Sequence, residues 1–302
     1  MPPVMQSTNK KVKTRMIQRL SGAVFLMVVA LCGCSTDKKA DAAQPPRMKE
    51  GSVAPRPTVV SMPASPYQVT NVTGGARVTG TVDFDGQFPA DSVINLPPDL
   101  MGCGQRITDH IVDHNGTRIG GAIVWISDIR TGKPLPVARR FELANEDCVL
   151  TPKVQAVIAP ATLNLVSEDV AIHRDRIINV GTGELEGIAP FNDNGEVVPF
   201  DRLLDSPAQL EVSCDLHPWA KASILVFDHP YFAQTEQAGT FSIDDVPPGT
   251  YHVKAWHPAL GVSEQTVTVA AGQSANVAFH IGAASSAAPA PAAAPVSDSG
   301  SR

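Results

Sequence analysis

Residues 212–220, VSCDLHPWA, place a thiol and an imidazole three positions apart, at Cys214 and His217. An apolar run, ASILVF, follows at residues 222–227. This pattern predicts a tight loop between two strands. A thiolate and a neutral imidazole are two of the three ligands of a trigonal site for a soft metal ion. A complete site needs another histidine, from the end of an earlier strand.

Strand-like segments dominate the chain on both sides of this loop. Residues 76–84 carry β-branched side chains in near alternation and end at the turn residues Asp85 and Gly86. Similar segments, separated by Pro, Gly, Asp and Asn, are residues 121–126, 154–158, 162–166, 209–212, 222–227, 240–243, 250–256, 266–269 and 274–281. No long segment has a helical period. The pattern predicts an all-β sandwich fold.

The N-terminal end has the features of an export signal. Residues 10–19 contain five basic side chains, residues 20–30 are apolar, and Leu31-Cys32-Gly33-Cys34 follows. This segment resembles the lipobox of bacterial lipoproteins, which implies a signal peptide over residues 1–33 and lipid attachment at Cys34. Ser35 then implies an outer-membrane lipoprotein that faces the periplasm. An ordinary secretory signal peptide is the alternative.

Composition predicts disorder at both ends of the chain, and the net charge limits the classes of partner. Residues 34–74 and the Ala/Pro/Ser-rich residues 283–302 are predicted to be a disordered tether and a disordered tail. The net charge of −6 becomes more negative once the basic signal peptide is removed. A nucleic-acid partner is therefore not expected, and membrane contact is expected through the lipid alone.

Three cysteines remain after the anchor: Cys103, Cys148 and Cys214. In an oxidising compartment, an odd number indicates one disulfide and one thiol kept for another use. Three pairings are open from the sequence. If Cys214 binds a metal, Cys103 and Cys148 remain to form the disulfide.

His173 is the candidate for the missing histidine, because it follows a predicted strand and a short polar loop. The pattern Asp169-x-x-x-His173, followed by Cys214-Asp-x-His217-Pro-Trp, resembles the exported, methylamine-utilisation-like branch of the cupredoxin-like proteins related to plastocyanin. The resemblance implies a Greek-key sandwich over residues 141–228 with copper bound by His173, Cys214 and His217. It also implies one-electron transfer with a redox partner protein, or copper holding.

Two positions depart from that family's pattern. Ala220 stands where the family has its weak axial Met, and Arg174 stands where the family tends to have Asn. Loss of the axial ligand is expected to raise the reduction potential of bound copper. A sandwich that has lost its metal is the alternative.

A second resemblance covers the C-terminal part. Gly239-Thr-Phe-Ser-Ile, followed by Val246-Pro-Pro-Gly-Thr-Tyr251, resembles the carboxypeptidase regulatory-like modules, which are transthyretin- or Ig-like sandwiches. Residues 75–140 resemble the first strands of that module and residues 229–282 its last, so the cupredoxin-like part is expected to adjoin it or interrupt it. Tyr251 and Trp256 are candidate aromatics for binding a glycan, and a framework role is the alternative.

No catalytic set is apparent, so the chain is not expected to be an enzyme. His110 and His114 are four positions apart but lie in strand and turn sequence, so solvated histidines are expected. Two hypotheses result. The first is a periplasmic copper lipoprotein, and the second is a non-catalytic scaffold that binds a glycan or a protein.

Overall fold

A computed structural model describes residues 58–62, 66–96, 102–137 and 139–282. These residues form strands, turns and loops, with no helix long and apolar enough to cross a membrane. The strands, numbered along the chain, are β1 (Gln68–Val69), β2 (Ala76–Phe84), β3 (Ser92–Asn95), β4 (Arg106–Asp109), β5 (His114–Asn115), β6 (Arg118–Ile119), β7 (Ile123–Ile126), β8 (Thr131–Gly132), β9 (Arg140–Glu146), β10 (Val149–Thr151), β11 (Val154–Ile158), β12 (Ala161–Ser167), β13 (His173–Asn179), β14 (Leu185–Phe191), β15 (Val197–Leu204), β16 (Ala208–Cys214), β17 (Lys221–Phe227), β18 (Phe232–Gln234), β19 (Thr240–Val246), β20 (Gly249–His257), β21 (Gly261–Val269) and β22 (Ser274–Ile281). The prediction of an all-β sandwich fold is confirmed.

The strands of residues 140–227 form one sandwich, here called the central sandwich. Its sheets have the orders β10-β9-β12-β15 and β11-β17-β16-β13-β14. Alternate side chains of the two sheets meet in an apolar core that includes Leu143, Leu163, Leu165, Ile177 and Val212. The central sandwich carries the predicted ligands His173 and Cys214 on its second sheet, at one end of this core.

Strands from both sides of that segment form a second sandwich, here called the flanking sandwich. One sheet has the order β18-β7-β20-β21, and the other has β19-β2-β6-β5 with β22 paired in parallel to β2. Its core contains Val78, Val124, Val253 and Phe279. Sequence-distant strands therefore share one sheet, and the central sandwich is inserted between them.

A smaller apolar cluster joins the two sandwiches. Trp125 and Trp256 from the flanking sandwich pack in one buried group with Leu225 and Phe227 from the central sandwich. The Gln234 side chain adds a hydrogen bond of 2.9 Å to the backbone carbonyl of Val154. The two cores are thus joined by direct side-chain packing.

The predicted disordered tether over residues 34–74 is too long. Val60 is buried, and its N–H donates to the Gln209 side chain at 2.8 Å. The Tyr67 hydroxyl donates to the Lys133 carbonyl at 2.7 Å, and β1 pairs with β8. This stretch has no apolar period of its own because its contacts are made to other parts of the chain. Residues 1–57 and 283–302, with Cys34, lie outside the described residues.

Candidate metal centre

Two neighbouring strands and one tight loop position the predicted ligands. His173 begins β13, Cys214 ends β16, and the two strands pair antiparallel. The loop after Cys214 is closed by two hydrogen bonds: Cys214 N–H to the Ala220 carbonyl at 3.1 Å, and Ala220 N–H to the His217 carbonyl at 2.8 Å. This closure turns His217 back toward the ends of both strands.

The three ligand atoms converge on one point. His173 Nδ1 and His217 Nδ1 are 3.1 Å apart, and Cys214 Sγ lies 3.8 Å from the first and 3.5 Å from the second. All three side chains are at least 97% buried. Three potential metal donors therefore lie against one another, away from water.

The separations match those that a single cation would impose. Bond lengths of about 2.0–2.1 Å to nitrogen and about 2.3 Å to sulfur, in a trigonal plane, hold the donors about 3.5–3.8 Å apart. The observed separations are 3.1 Å between the imidazoles and 3.5 and 3.8 Å to sulfur, so the His217 nitrogen must move slightly away from both other donors. Two imidazoles and one thiolate suit copper.

Asp169 orients the first imidazole. Its carboxylate oxygen lies 3.0 Å from His173 Nε2 and also accepts the Cys148 N–H at 2.9 Å. Because His173 Nε2–H donates to this carboxylate, the lone pair is on Nδ1 and faces Cys214 and His217. A carboxylate behind a histidine ligand fixes the tautomer and makes the ligand more basic. The role of Asp169 could have been found in the sequence from its position four residues before His173.

The surroundings of Cys214 and His217 favour uncharged groups when no metal is bound. Burial raises the pKa of the Cys214 thiol, and the Arg174 N–H, 3.4 Å from Sγ, acts in the opposite direction. Burial and the neighbouring His173 lower the pKa of His217 to about 4. His217 is therefore a neutral donor at neutral pH, and a cation is needed to stabilise the thiolate.

Ala220, which stands where the resemblance implies a Met, supplies no donor of its own. Ala220 is buried in the core of the central sandwich, and its side chain is a methyl group. Arg174 points outward instead, with its guanidinium 2.7 Å from the Asp215 carboxylate. Both departures noted in the sequence therefore leave the three converging donors in place.

Cys103 and Cys148 form a disulfide, and Cys214 is the free cysteine among the described residues. The disulfide lies directly behind the site, with Cys103 Sγ 3.4 Å from His217 Nε2. The two cysteines are 45 positions apart: Cys103 lies between β3 and β4, and Cys148 lies between β9 and β10, so no local pattern shows this contact.

A buried polar pair beside the site has no signal in the sequence. Asp175 lies opposite Cys214 in the strand register, is fully buried, and accepts a 2.7 Å hydrogen bond from the Asn145 amide. Burial raises the pKa of Asp175. Asp175 Oδ1 and Asn145 Oδ1 have no partner in the described part of the chain.

The predicted glycan-binding aromatics are placed differently. Trp256 is fully buried in the cluster that joins the two sandwiches, and its indole N–H donates to the Thr58 carbonyl at 3.0 Å. This contradicts a role as an exposed platform, because neither face of the ring reaches solvent. Tyr251 is half-buried, and its hydroxyl donates to the Pro247 carbonyl at 2.9 Å. The framework alternative describes Trp256, and the role of Tyr251 as a glycan contact stays a prediction.

The histidines His110 and His114 are exposed and separate. His110 lies 2.7 Å from the Asp91 carboxylate, and His114 stacks on Phe88 with ring centroids 4.0 Å apart.

Comparisons with known proteins give partial matches. A family model described as "Polysaccharide lyase family 4, domain II" matches residues 219–277. No curated protein matches the chain. Since the family model covers a small part of the chain, it does not establish a family for the whole.

Several solved structures of copper proteins are weakly similar to the chain. They include a Cu-containing nitrite reductase from Thermus scotoductus (23% identity, 34% of this chain, 24% of that chain, TM-score 0.26), a purple cupredoxin from Nitrosopumilus maritimus (15%, 28%, 97%, 0.24) and an auracyanin from Roseiflexus castenholzii (12%, 30%, 98%, 0.24). The chain thus spans about a quarter of the nitrite reductase's length. The TM-scores are low, so the function of this chain depends on its own site geometry.

Proposed function

We propose that this protein binds one copper ion through His173, Cys214 and His217 and uses it for one-electron transfer or copper holding. The observation that carries the proposal is the convergence of His173 Nδ1, His217 Nδ1 and Cys214 Sγ within 3.8 Å of one another in a buried position. Bound copper would supply a one-electron couple between Cu(I) and Cu(II).

The protein's own contribution is to hold the ligands still and keep water out. Asp169 holds the His173 ring, and the Ala220–His217 backbone hydrogen bond holds the loop. The Arg174 N–H withdraws charge from the Cys214 sulfur, which favours Cu(I). The methyl side chain of Ala220 would give bound copper no further donor, which would also favour Cu(I). Replacing Ala220 by Met is therefore expected to lower the reduction potential.

Addition of Cu(II) to the purified protein tests the proposal. We expect an intense blue colour that is lost in Cys214→Ala and kept in Ser213→Ala, which changes the neighbouring side chain on the other face of β16. A wild-type protein that stays colourless and retains no copper after dialysis would rule the proposal out.

We further propose that the protein acts in the bacterial cell envelope as an outer-membrane lipoprotein anchored at Cys34, with a redox partner in the periplasm. The supporting feature is the sequence Leu31-Cys32-Gly33-Cys34 after an apolar run. Metabolic labelling with a radioactive fatty acid is expected to mark the wild type and not Cys34→Ser. An unlabelled wild type would contradict the lipid anchor and favour an ordinary secretory signal peptide.

A second candidate is a non-catalytic binding scaffold, with the flanking sandwich as a carboxypeptidase regulatory-like module. It is favoured by the match to domain II of polysaccharide lyase family 4 and by a cavity of about 140 Å³ that is lined by Lys153, Trp219 and Pro258. An aromatic side chain beside charged groups can stack on a sugar ring and hydrogen-bond its hydroxyls. Binding on a glycan array that survives Cys214→Ser and is lost in Trp219→Ala would favour this candidate.

A further inference from the structure

The Cys103–Cys148 disulfide covers the outer edges of both predicted histidine ligands. Cys103 Sγ lies 3.4 Å from His217 Nε2. Cys148 offers its sulfur within 4.8 Å of ligand atoms of His173 and Asp169, and Cys103, Cys148 and His217 form another group within the same distance. The two ring nitrogens of His217 therefore face different sulfur atoms. Nδ1 faces the thiol of Cys214, and Nε2 faces the disulfide.

The position of the disulfide cysteines depends on more than the bond between them. The Cys148 N–H donates to Asp169 at 2.9 Å, and its carbonyl accepts the Trp219 indole N–H at 2.8 Å. A side chain at Gly102 would lie 2.8 Å from the Ala171 nitrogen, so the backbone before Cys103 packs directly on that segment. These contacts do not involve the S–S bond, so we expect them to hold both cysteines beside His217 after that bond is broken.

We propose that reduction of the Cys103–Cys148 disulfide creates a second soft-metal site, in which the two cysteines and His217 Nε2 bind Cu(I). A dithiol supplies two electrons and two protons: its own sulfurs become a cyclic disulfide, and Cys103 and Cys148 become thiols. Binding of Cu(I) releases both thiol protons, and His217 releases its Nε2 proton when it bridges two ions. Thiolate ligands select Cu(I).

The second site would let the protein take up an additional copper ion under reducing conditions and return to one ion on oxidation. Its choice of metal rests on the proposed function, but its sulfur ligands do not include Cys214. Failure of the first site therefore need not remove the second. His217 is the shared residue, and its loss is expected to weaken both.

A Cu(I) titration of the whole processed protein against bicinchoninate tests the proposal, with and without prior anaerobic treatment with dithiothreitol. We expect one copper per oxidised chain and two per reduced chain. The reduced Cys214→Ser variant should still bind one copper, whereas its oxidised form binds none. If the proposed function fails, the oxidised wild type binds none and the reduced wild type binds one.

The matched control replaces both Cys103 and Cys148 by Ser, which should remove the copper gained on reduction. Alkylation of the reduced wild type with iodoacetamide, in apo and Cu(I)-loaded samples, gives the same information if that variant does not fold. Loaded protein should be protected at Cys103 and Cys148. A reduced wild type that binds no more copper than the oxidised one, or extra copper that persists in the double Ser variant, would overturn the proposal.

Discussion

The two sandwiches bury histidines in opposite ways. In the central sandwich, His173 and His217 face each other and Cys214. Beside the flanking sandwich, His229 and His257 are buried singly, and each ring accepts one backbone N–H, from Tyr231 at 3.2 Å and from Ala259 at 3.3 Å. His229 and His257 therefore have framework contacts, whereas His173 and His217 converge with a thiol, and this convergence makes them candidate metal ligands.

The largest expected effect is the loss of packing between the sandwiches. Trp256→Ala should destabilise the protein by about 3–5 kcal/mol, because it removes a fully buried ring from the shared cluster. Urea unfolding should still show one transition. The more conservative Trp256→Phe should lower the free energy of unfolding less than Trp256→Ala. Two well-separated transitions in the wild type would show that the sandwiches are independent.

The buried framework histidines should make stability depend on pH. Burial lowers the pKa of His257 to about 4, below its usual value near 6.5. Above that usual value the histidine is neutral in both states; as the pH falls from 6.5 to 4, only the unfolded chain takes up the proton. Stability should thus fall by up to about 3 kcal/mol per histidine over this range.

Unfolding experiments at several pH values can assign this dependence. His257→Gln should make the slope between pH 6.5 and 4 shallower, whereas His114→Gln, at an exposed position of the same sandwich, should not. Neither variant should change copper binding. An unchanged slope in His257→Gln would contradict the framework role assigned to that side chain.

Asp169 should matter to the metal site more than to the fold. Asp169→Asn is expected to weaken copper affinity about 10–100-fold, because the carboxylate behind His173 makes that ligand more basic. Competition with a chelator measures the change. Asp215→Asn, which alters a surface partner of Arg174, is the control and should leave the affinity nearly unchanged.

The smallest effect is expected at Arg174. Its ion pair with Asp215 lies at the surface, so Arg174→Asn should change stability by about 1 kcal/mol or less. The backbone N–H to Cys214 Sγ is retained, and the copper spectrum should keep its shape. A lost spectrum would show that the guanidinium itself supports the site.

Much of the fold is predictable from the sequence, because the patterns that indicate strands are local. Residues 76–84 were predicted as a strand and form β2, and residues 222–227 lie in β17. The spacing of His173, Cys214 and His217 also indicated one site. β14 and β15 were missed because their partly exposed sequences have no clear alternation of apolar residues.

Other features depend on contacts between distant residues. The β2–β22 pairing joins segments almost 200 positions apart in the sequence, and Cys103 reaches His217 from another part of the chain. The sequence allows Trp256 to be a surface aromatic, because nothing near it in sequence shows that it packs with Phe227 and Leu225. Buried Asp175 has a polar side chain at a core position, which an apolar pattern cannot reveal.

Copper-edge X-ray absorption on the oxidised, dialysed protein tests the central claim most directly, because it identifies the atoms that bind the metal. We predict one copper ion per chain with a single sulfur and two imidazole nitrogens at short distance, and loss of the sulfur in Cys214→Ala. Absence of retained copper, or a coordination shell without sulfur in the wild type, would contradict a site at His173, Cys214 and His217.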